Sequence, residues 1–248
     1  MAGNTREAGA SVTSRALAIL GAFDMAHQHL SLSDIARRTG LPLATAHRIL
    51  AELVAWRALE RGPDGRYRVG LRLWELGTLS VTRTRLRESA LPYLQMLYEV
   101  TRTDVHLAVP DGSDVVYIEH LGSRRTGGPP GVVGMRVPLE RSAAGLVLLA
   151  HGGGPDAPGP RPRLAEIRRR RCAVLADAVR PGMCSVAVPV TRGDGTAVAA
   201  VGLSVAAFPD AKGCLPVLLA AAGRIRQSFA RTPAEESTGR AVFAVAGA

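Results

Sequence analysis

A chain of 248 residues, 47% of them hydrophobic, is long enough to bury one large core or two modest ones. The formal net charge of +10 suits a polyanionic partner, but basic residues are spread along the whole chain, so composition alone does not separate nucleic-acid binding from arginine richness. The three cysteines, Cys172, Cys184 and Cys214, show no CxxC spacing, which argues against a disulfide framework or a zinc ribbon. No apolar run is long enough to span a bilayer, and the N-terminus lacks a signal peptide's apolar segment. Together these features predict a soluble cytoplasmic protein with no membrane partner, no metal and no cofactor.

Residues 1–10 are small and polar and read as a disordered tail. Val12, Ala16, Ile19, Leu20 and Phe23 mark one helical face and predict a first helix over about 13–26, with His27 and His29 in the loop after it. In the next stretch, Ser31 or Ser33 can cap a short helix that carries Ile35 and Ala36 on its apolar side. Thr39-Gly40 ends that helix, because glycine takes a positive φ without steric cost. Pro42 sits where a new helix begins and its missing N–H does no harm. From Leu43 onward, Ala46, Ile49, Leu50, Leu53 and Val54 recur at helical spacing, leaving Ala44, Thr45, His47 and Arg48 on the other face. Helix, glycine turn and helix with a polar outer stripe is the helix-turn-helix arrangement, though a plain helical hairpin shares the pattern.

Short strands at 59–61 and 66–69 flank the turn Gly62-Pro63-Asp64-Gly65. Two strands after three helices make a wing, which would lay Arg61, Arg66 and Arg68 along a phosphate backbone while the helix from Leu43 chooses the bases.

The segments SVTSRALAIL, LSLSDIARRTGLPLATAHRIL and RYRVGLRLWELG resemble the DNA-binding domain of the IclR family of bacterial transcription regulators. The resemblance implies a ligand-responsive, sequence-specific DNA-binding repressor or activator that works as a homodimer or a dimer of dimers on operator DNA. Its candidate DNA contacts are Ser33, Leu43, Ala44, Thr45, His47 and Arg48, with Arg61, Arg66 and Arg68 from the wing. The family usually carries Lys-Ser-Thr where this chain has Leu43-Ala44-Thr45, and a Gly-aromatic pair where it has Trp56-Arg57. Leu43 and Ala44 can touch thymine methyls but offer no side-chain hydrogen bond to a base, so the target should differ from the family's average one.

Leu71, Leu73, Trp74, Leu76 and Leu79 then form an apolar helix, which in the family links the two domains and helps to pair subunits. A helix over about 86–101, strands at 105–109 and 115–119 and further alternation of helix and strand predict an α+β domain with an antiparallel sheet. GVVGMRVPLERSAAGLVLLAHGGG resembles the family's GAF-like effector-binding domain. In that domain a strand, a small-residue turn and a helix wall a ligand cavity, here Val137 followed by Ser142, Ala143 and Ala144. Small residues at that helix start either leave N–H groups open to an anion or simply allow close packing. A closing hairpin, 185–190 and 197–204, supplies the cavity's other side through Asp177, Ser185 and Ser204, with Cys184 as a further possible lining residue. Gly202 stands where the family often has a serine, which predicts a less polar cavity, for a carboxylate or an aromatic acid as effector.

His151-Gly152-Gly153-Gly154 invites comparison with an esterase oxyanion loop, but no GxSxG nucleophile elbow accompanies it. Arg168 to Arg171 form a basic run at a helix end, open to either a second DNA contact or a solvated face. A helix over 217–229 closes the domain. The rival reading is an enzyme carrying an N-terminal DNA-binding or dimerisation module, with Asp104, His106, Glu119 and His120 as its clustered titratable groups. The expected organisation is a tail over 1–10, a winged helix-turn-helix DNA-binding domain over 11–70, a linker helix over 71–85, an effector-binding domain over 86–231 and a disordered tail over 232–248.

Overall fold

The computed structural model describes residues 11–122, 133–152, 162–176, 182–206 and 208–231, and the chain divides into two units, 1–81 and 82–248. In the first unit, α1 (Val12–Leu20), α2 (Leu32–Thr39) and α3 (Leu43–Ala55) enclose a small core in which Ile19, Ile35, Ile49 and Leu50 are almost fully buried. Each such side chain contributes about 1.5–3 kcal/mol by leaving water. The first helix stops at Gly21, several residues short of the expected end. The chain beyond it is held by other means: Asp24 takes hydrogen bonds from Ala26 N–H and Arg38, and lies 2.8 Å from a His27 ring nitrogen.

At α2 the cap is Ser31, not Ser33. Its hydroxyl accepts the Asp34 N–H while the Asp34 carboxylate accepts the Ser31 N–H, a reciprocal capping box. Gly40 closes the helix in the left-handed region at φ +69°. The strands β1 (Leu59–Arg61) and β2 (Tyr67–Val69) pair antiparallel, with Leu30 bridged to Tyr67 on the open side.

The second unit is built on a six-stranded antiparallel sheet in the order β5-β4-β3-β8-β7-β6. Its strands are β3 (Asp104–Asp111), β4 (Asp114–Leu121), β5 (Arg136–Pro138), β6 (Ala173–Ala176), β7 (Cys184–Thr191) and β8 (Ala197–Val205). Of these, β6 gave no sequence signal, being a four-residue, alanine-rich edge strand that is half-buried. On one face, α5 (Val81–Thr101) and α8 (Phe208–Arg231) cover Val105, Leu107, Val186, Val201 and Leu203. On the other face, α6 (Ala143–Ala150), with α7 (Pro162–Arg170) beside it, covers Ala108, Tyr117, Ala187 and Ala200. Pro92 and Pro216 lie inside α5 and α8, and both helices start well before their expected first residues. In the first unit the wing is followed by α4 (Leu71–Thr78), none of whose residues is buried.

Gly145 shows how tightly α6 is seated. A Cβ there would meet the Leu139 carbonyl oxygen at 2.1 Å, a backbone atom that has no easy way to move. Gly145→Ala should therefore cost about 1–3 kcal/mol, read as a lowered thermal unfolding midpoint. The capping box makes a second prediction. Asp34 is held at about 2, against an ordinary 3.8, first by the Ser31 hydroxyl and then by Arg37. A carboxyl depressed on folding stabilises fully above its unfolded value, and that stabilisation is lost as pH falls towards the folded one. Protection of the α2 amides, taken relative to their intrinsic exchange rates, should consequently fall between pH 3.8 and about 2 in the wild type, and Asp34→Asn should flatten that dependence.

Candidate DNA interface and effector site

The outer stripe of α3 projects from the first unit. Leu43, Ala44, His47 and Arg48 are exposed and Thr45 is half-buried, while Ala46, Ile49 and Leu50 turn inward. Arg48 lies 3.6 Å from Glu52, both more than 60% exposed, a pairing too weak to hold it away from a base. Ser33, on α2, is also exposed.

The three wing arginines differ in availability. Arg68 is engaged by Glu60 directly across the ladder at 2.8 Å, and the guanidinium in turn holds the Glu60 carboxyl below its usual range. Arg61 lies over the Tyr67 ring, and Arg66 is 4.0 Å from Asp64 at the wing tip. Arg61 and Arg66 are thus the freer two. Gly70 ends the wing where a Cβ would strike the Arg57 carbonyl at 2.3 Å, with Arg57 itself at φ +62°. These constraints fix the angle at which the chain leaves the wing.

In the second unit, strand register assembles a polar patch. Side chains directly opposite each other on paired strands share a face. Ser185, Ser204 and Asp104 form one rung across β7, β8 and β3. Ala187, Gly202, His106 and His120 form the next, continuing onto β4. Both rungs lie on the α6 side, at the end of the sheet where β7 begins. The His120 Nε2 stands 3.6 Å from an Asp104 oxygen, and the His106 ring meets Tyr117 edge-on at 5.2 Å.

Two glycines make room for this patch. A Cβ on Gly202 would lie 2.1 Å from the His106 Nε2, and one on Gly122 would lie 1.8 Å from the Asp104 carboxylate. Gly202 therefore does not leave an apolar gap, as its replacement of a serine suggested. It is the space the His106 imidazole fills, so this face is more polar than the expectation.

The remaining candidates fall as follows. Val137 and Ala143 and Ala144 are buried against the α6 side of the sheet. Ser142 caps α6 by accepting the Gly145 N–H at 2.9 Å, and the small residues permit close packing on Leu139. Ser185 and Ser204 come together, whereas Asp177 lies outside the described residues. Cys184 belongs to the core on the opposite face. Of the four titratable groups once grouped together, Glu119 parts from the others: it pairs in register with Leu107, and its carboxylate meets Arg87 of α5 at 2.7 Å. Asp104, His106 and His120 converge without it. Sequence alone could have aligned them, because Asp104 and His106 alternate on one strand, but the bulge between Leu107 and Ala108 hides which β4 residues join them. No group of three or more His, Cys, Asp or Glu side chains among the described residues is placed to hold a metal ion.

Known proteins match both units. The model of the IclR helix-turn-helix domain covers residues 12–63, and that of the bacterial transcriptional regulator IclR C-terminal domain covers residues 78–158. The regulator XynR of Escherichia coli is 29% identical over 211 residues, 77% of this chain and 84% of its own length. The Pca regulon regulatory protein of Pseudomonas putida is 27% identical over 84% of this chain and 80% of its own. Among solved structures, an IclR homolog from Microbacterium hydrocarbonoxydans complexed with 4-hydroxybenzoate superposes with a TM-score of 0.77 at 29% identity, covering 89% of this chain and 99% of that one. An exposed recognition stripe, an adjacent wing and an antiparallel sheet with a polar rung beneath a helix occur here in one chain, and the chain belongs to the IclR family of bacterial transcription regulators, with an N-terminal helix-turn-helix DNA-binding domain and a C-terminal effector-binding domain.

Proposed function

We propose that this chain binds a specific operator through α3, works as a homodimer or a dimer of dimers, and changes its DNA affinity when a small organic acid occupies the polar patch on the α6 face. The observation that carries the DNA assignment is the exposed α3 stripe ending in a loosely held Arg48. Thr45 and Arg48 supply the hydrogen bonds to base edges, Leu43 and Ala44 the contacts to thymine methyls, and His47 and Ser33 flanking polar contacts. Arg61 and Arg66, with Arg68 to a lesser degree, set register on the phosphates. A transcription regulator meets its operator where the chromosome lies, which supports a cytoplasmic location.

Subunit pairing is supported by α4. Leu71, Trp74 and Leu79 are each at least 60% exposed within a single chain, an apolar surface that monomers seldom leave to water. A symmetric pair would set two α3 helices in successive major grooves, roughly 34 Å apart.

The effector class follows from the chemistry of the patch. Ser185 and Ser204 can donate to a carboxylate, Asp104 can accept from a hydroxyl, and the Tyr117 ring offers a flat apolar surface. Asp177, with Ser142, Ala143, Ala144 and Val137 at the α6 end, completes the proposed lining. A hydroxylated aromatic acid meets all three demands, and the related structure that carries 4-hydroxybenzoate makes that compound the first to test. Effector binding regulates only if the two subunit arrangements bind the acid with different affinity.

The decisive experiment is a footprinting titration on the DNA upstream of the chain's own gene. Arg48→Ala should abolish the protected site while residual non-specific binding persists, a loss of about 1–3 kcal/mol in discrimination; wild-type selectivity in that variant would refute the assignment. For the effector, 4-hydroxybenzoate at about a hundredfold its Kd should stabilise the protein by about 2.7 kcal/mol and raise the melting temperature accordingly. Ser204→Ala combined with Asp104→Asn should remove that rise, and a rise of full size in the double variant would place the acid elsewhere.

A further inference from the structure

At the opposite end of the same sheet lies a second site. The β7–β8 hairpin turn, α7, the end of α6 and α8 surround a groove of about 590 Å³, within the size range of small-molecule sites. It is lined by Arg168, Arg171, Arg192 and Arg226, with His151 and Asp194. Six steps of extended chain, from Ser185 to Thr191, separate it from the polar rung, roughly 20 Å at strand rise.

Charge distinguishes this groove from an ordinary basic surface. Two neighbouring arginines of the same basic run, Arg169 and Arg170, share the Glu166 carboxylate, which halves their charge to one. The four in the groove form no ion pair among the described residues; Arg168 is instead pinned by donating to the Ala150 carbonyl. The single carboxylate among the described lining residues, Asp194, already accepts the Thr196 N–H within its own turn. Among the described lining residues, four guanidinium charges face one carboxylate, an excess of three. His151 registers that field: burial, then Arg168 and Arg171, hold its imidazole below the ordinary histidine range. A low-dielectric wall beside clustered cations concentrates the potential inside the concavity.

We propose that this groove binds a small ligand bearing two phosphoryl groups, a chemical input separate from the organic-acid site at the other end of the sheet. Guanidinium forks match phosphate oxygens two at a time, and two phosphoryls carry about three to four negative charges near neutral pH, which balances the groove. One carboxylate would leave most of the charge unanswered. A DNA duplex is too broad to enter a concavity of this volume and could touch only the rim.

The test is calorimetric titration of the full chain with inorganic pyrophosphate at fixed ionic strength. Wild type should bind at one site per chain, and Arg171→Ala with Arg192→Ala should weaken binding at least tenfold. The charge-matched control, Arg169→Ala with Arg170→Ala, should bind within twofold of wild type; an equal loss in both double variants would mean diffuse attraction and overturn the proposal. Pyrophosphate should also raise the His151 titration midpoint followed by NMR, and an unmoved His151 would place the ion elsewhere. If non-operator duplex competes the pyrophosphate off wild type, and the groove variant loses duplex affinity as well, the occupant is nucleic acid and the small-ligand assignment falls.

Discussion

The second unit depends on one register, the pairing of β3 with β8 that sets His106 opposite Gly202. Alternation along a strand then leaves no choice about destinations. Val105, Leu107 and Val109 go to the core under α5 and α8, while Asp104, His106 and Ala108 go to the α6 side. A slip of one residue would exchange the two sets, burying a carboxylate and an imidazole among leucines. The glycine at 202 supports the register from the other strand, since a Cβ there would collide with the imidazole. The same alternation separates Ser185 from Cys184, and so decides which of two adjacent polarizable side chains can meet a ligand.

In the first unit, by contrast, the constraints are local. Ser31 and Asp34 begin α2, Gly40 ends it, and Pro42 permits α3 to start three residues later in a new direction. Each device acts within a few residues of itself, so the two helices and the turn are specified before any long-range contact forms. The core behind them is small, and its work is to hold α3 with one face inward. What is left outside is the recognition stripe.

This contrast explains what could be read from the amino-acid order. Caps, the glycine turn, helical spacing and the Pro-Asp-Gly wing turn are short-range signals, and the winged helix was legible to within a few residues. The closing hairpin was legible too, because Gly193-Asp194-Gly195 stands between two apolar runs. Three things were not. The first helix loses its last turn to Gly21 and to the Asp24 bonds, although Phe23 continues the apolar spacing. Strand β6 exists only because β7 offers an edge. Finally, the company of Asp104 and His120 requires the β3–β4 bulge, a feature of pairing and not of either strand. The polar patch is therefore half visible in the sequence: resemblance places its serines, while the spacing of its imidazoles fits a rival chemistry equally well.

Electrostatics follows the same division between what is written locally and what folding brings together. With a single lysine, Lys212, nearly all of the positive charge sits on guanidinium groups, and the total says little about where a polyanion would bind. Position relative to carboxylates says more. Arg37, Arg38, Arg68, Arg72, Arg136, Arg169 and Arg170 all have acidic neighbours, mostly within a turn of helix or across a strand pair. Those pairs are largely exposed, and each is worth little to stability. Their larger effect is to cancel field over most of the surface. Attraction for anions then concentrates where cations gather without such neighbours, and residues from α7, the β7–β8 turn and α8 reach one place only through the fold. A basic run in the sequence is thus a poor guide by itself, since Arg168 to Arg171 contributes two side chains to the groove and spends the other two on Glu166.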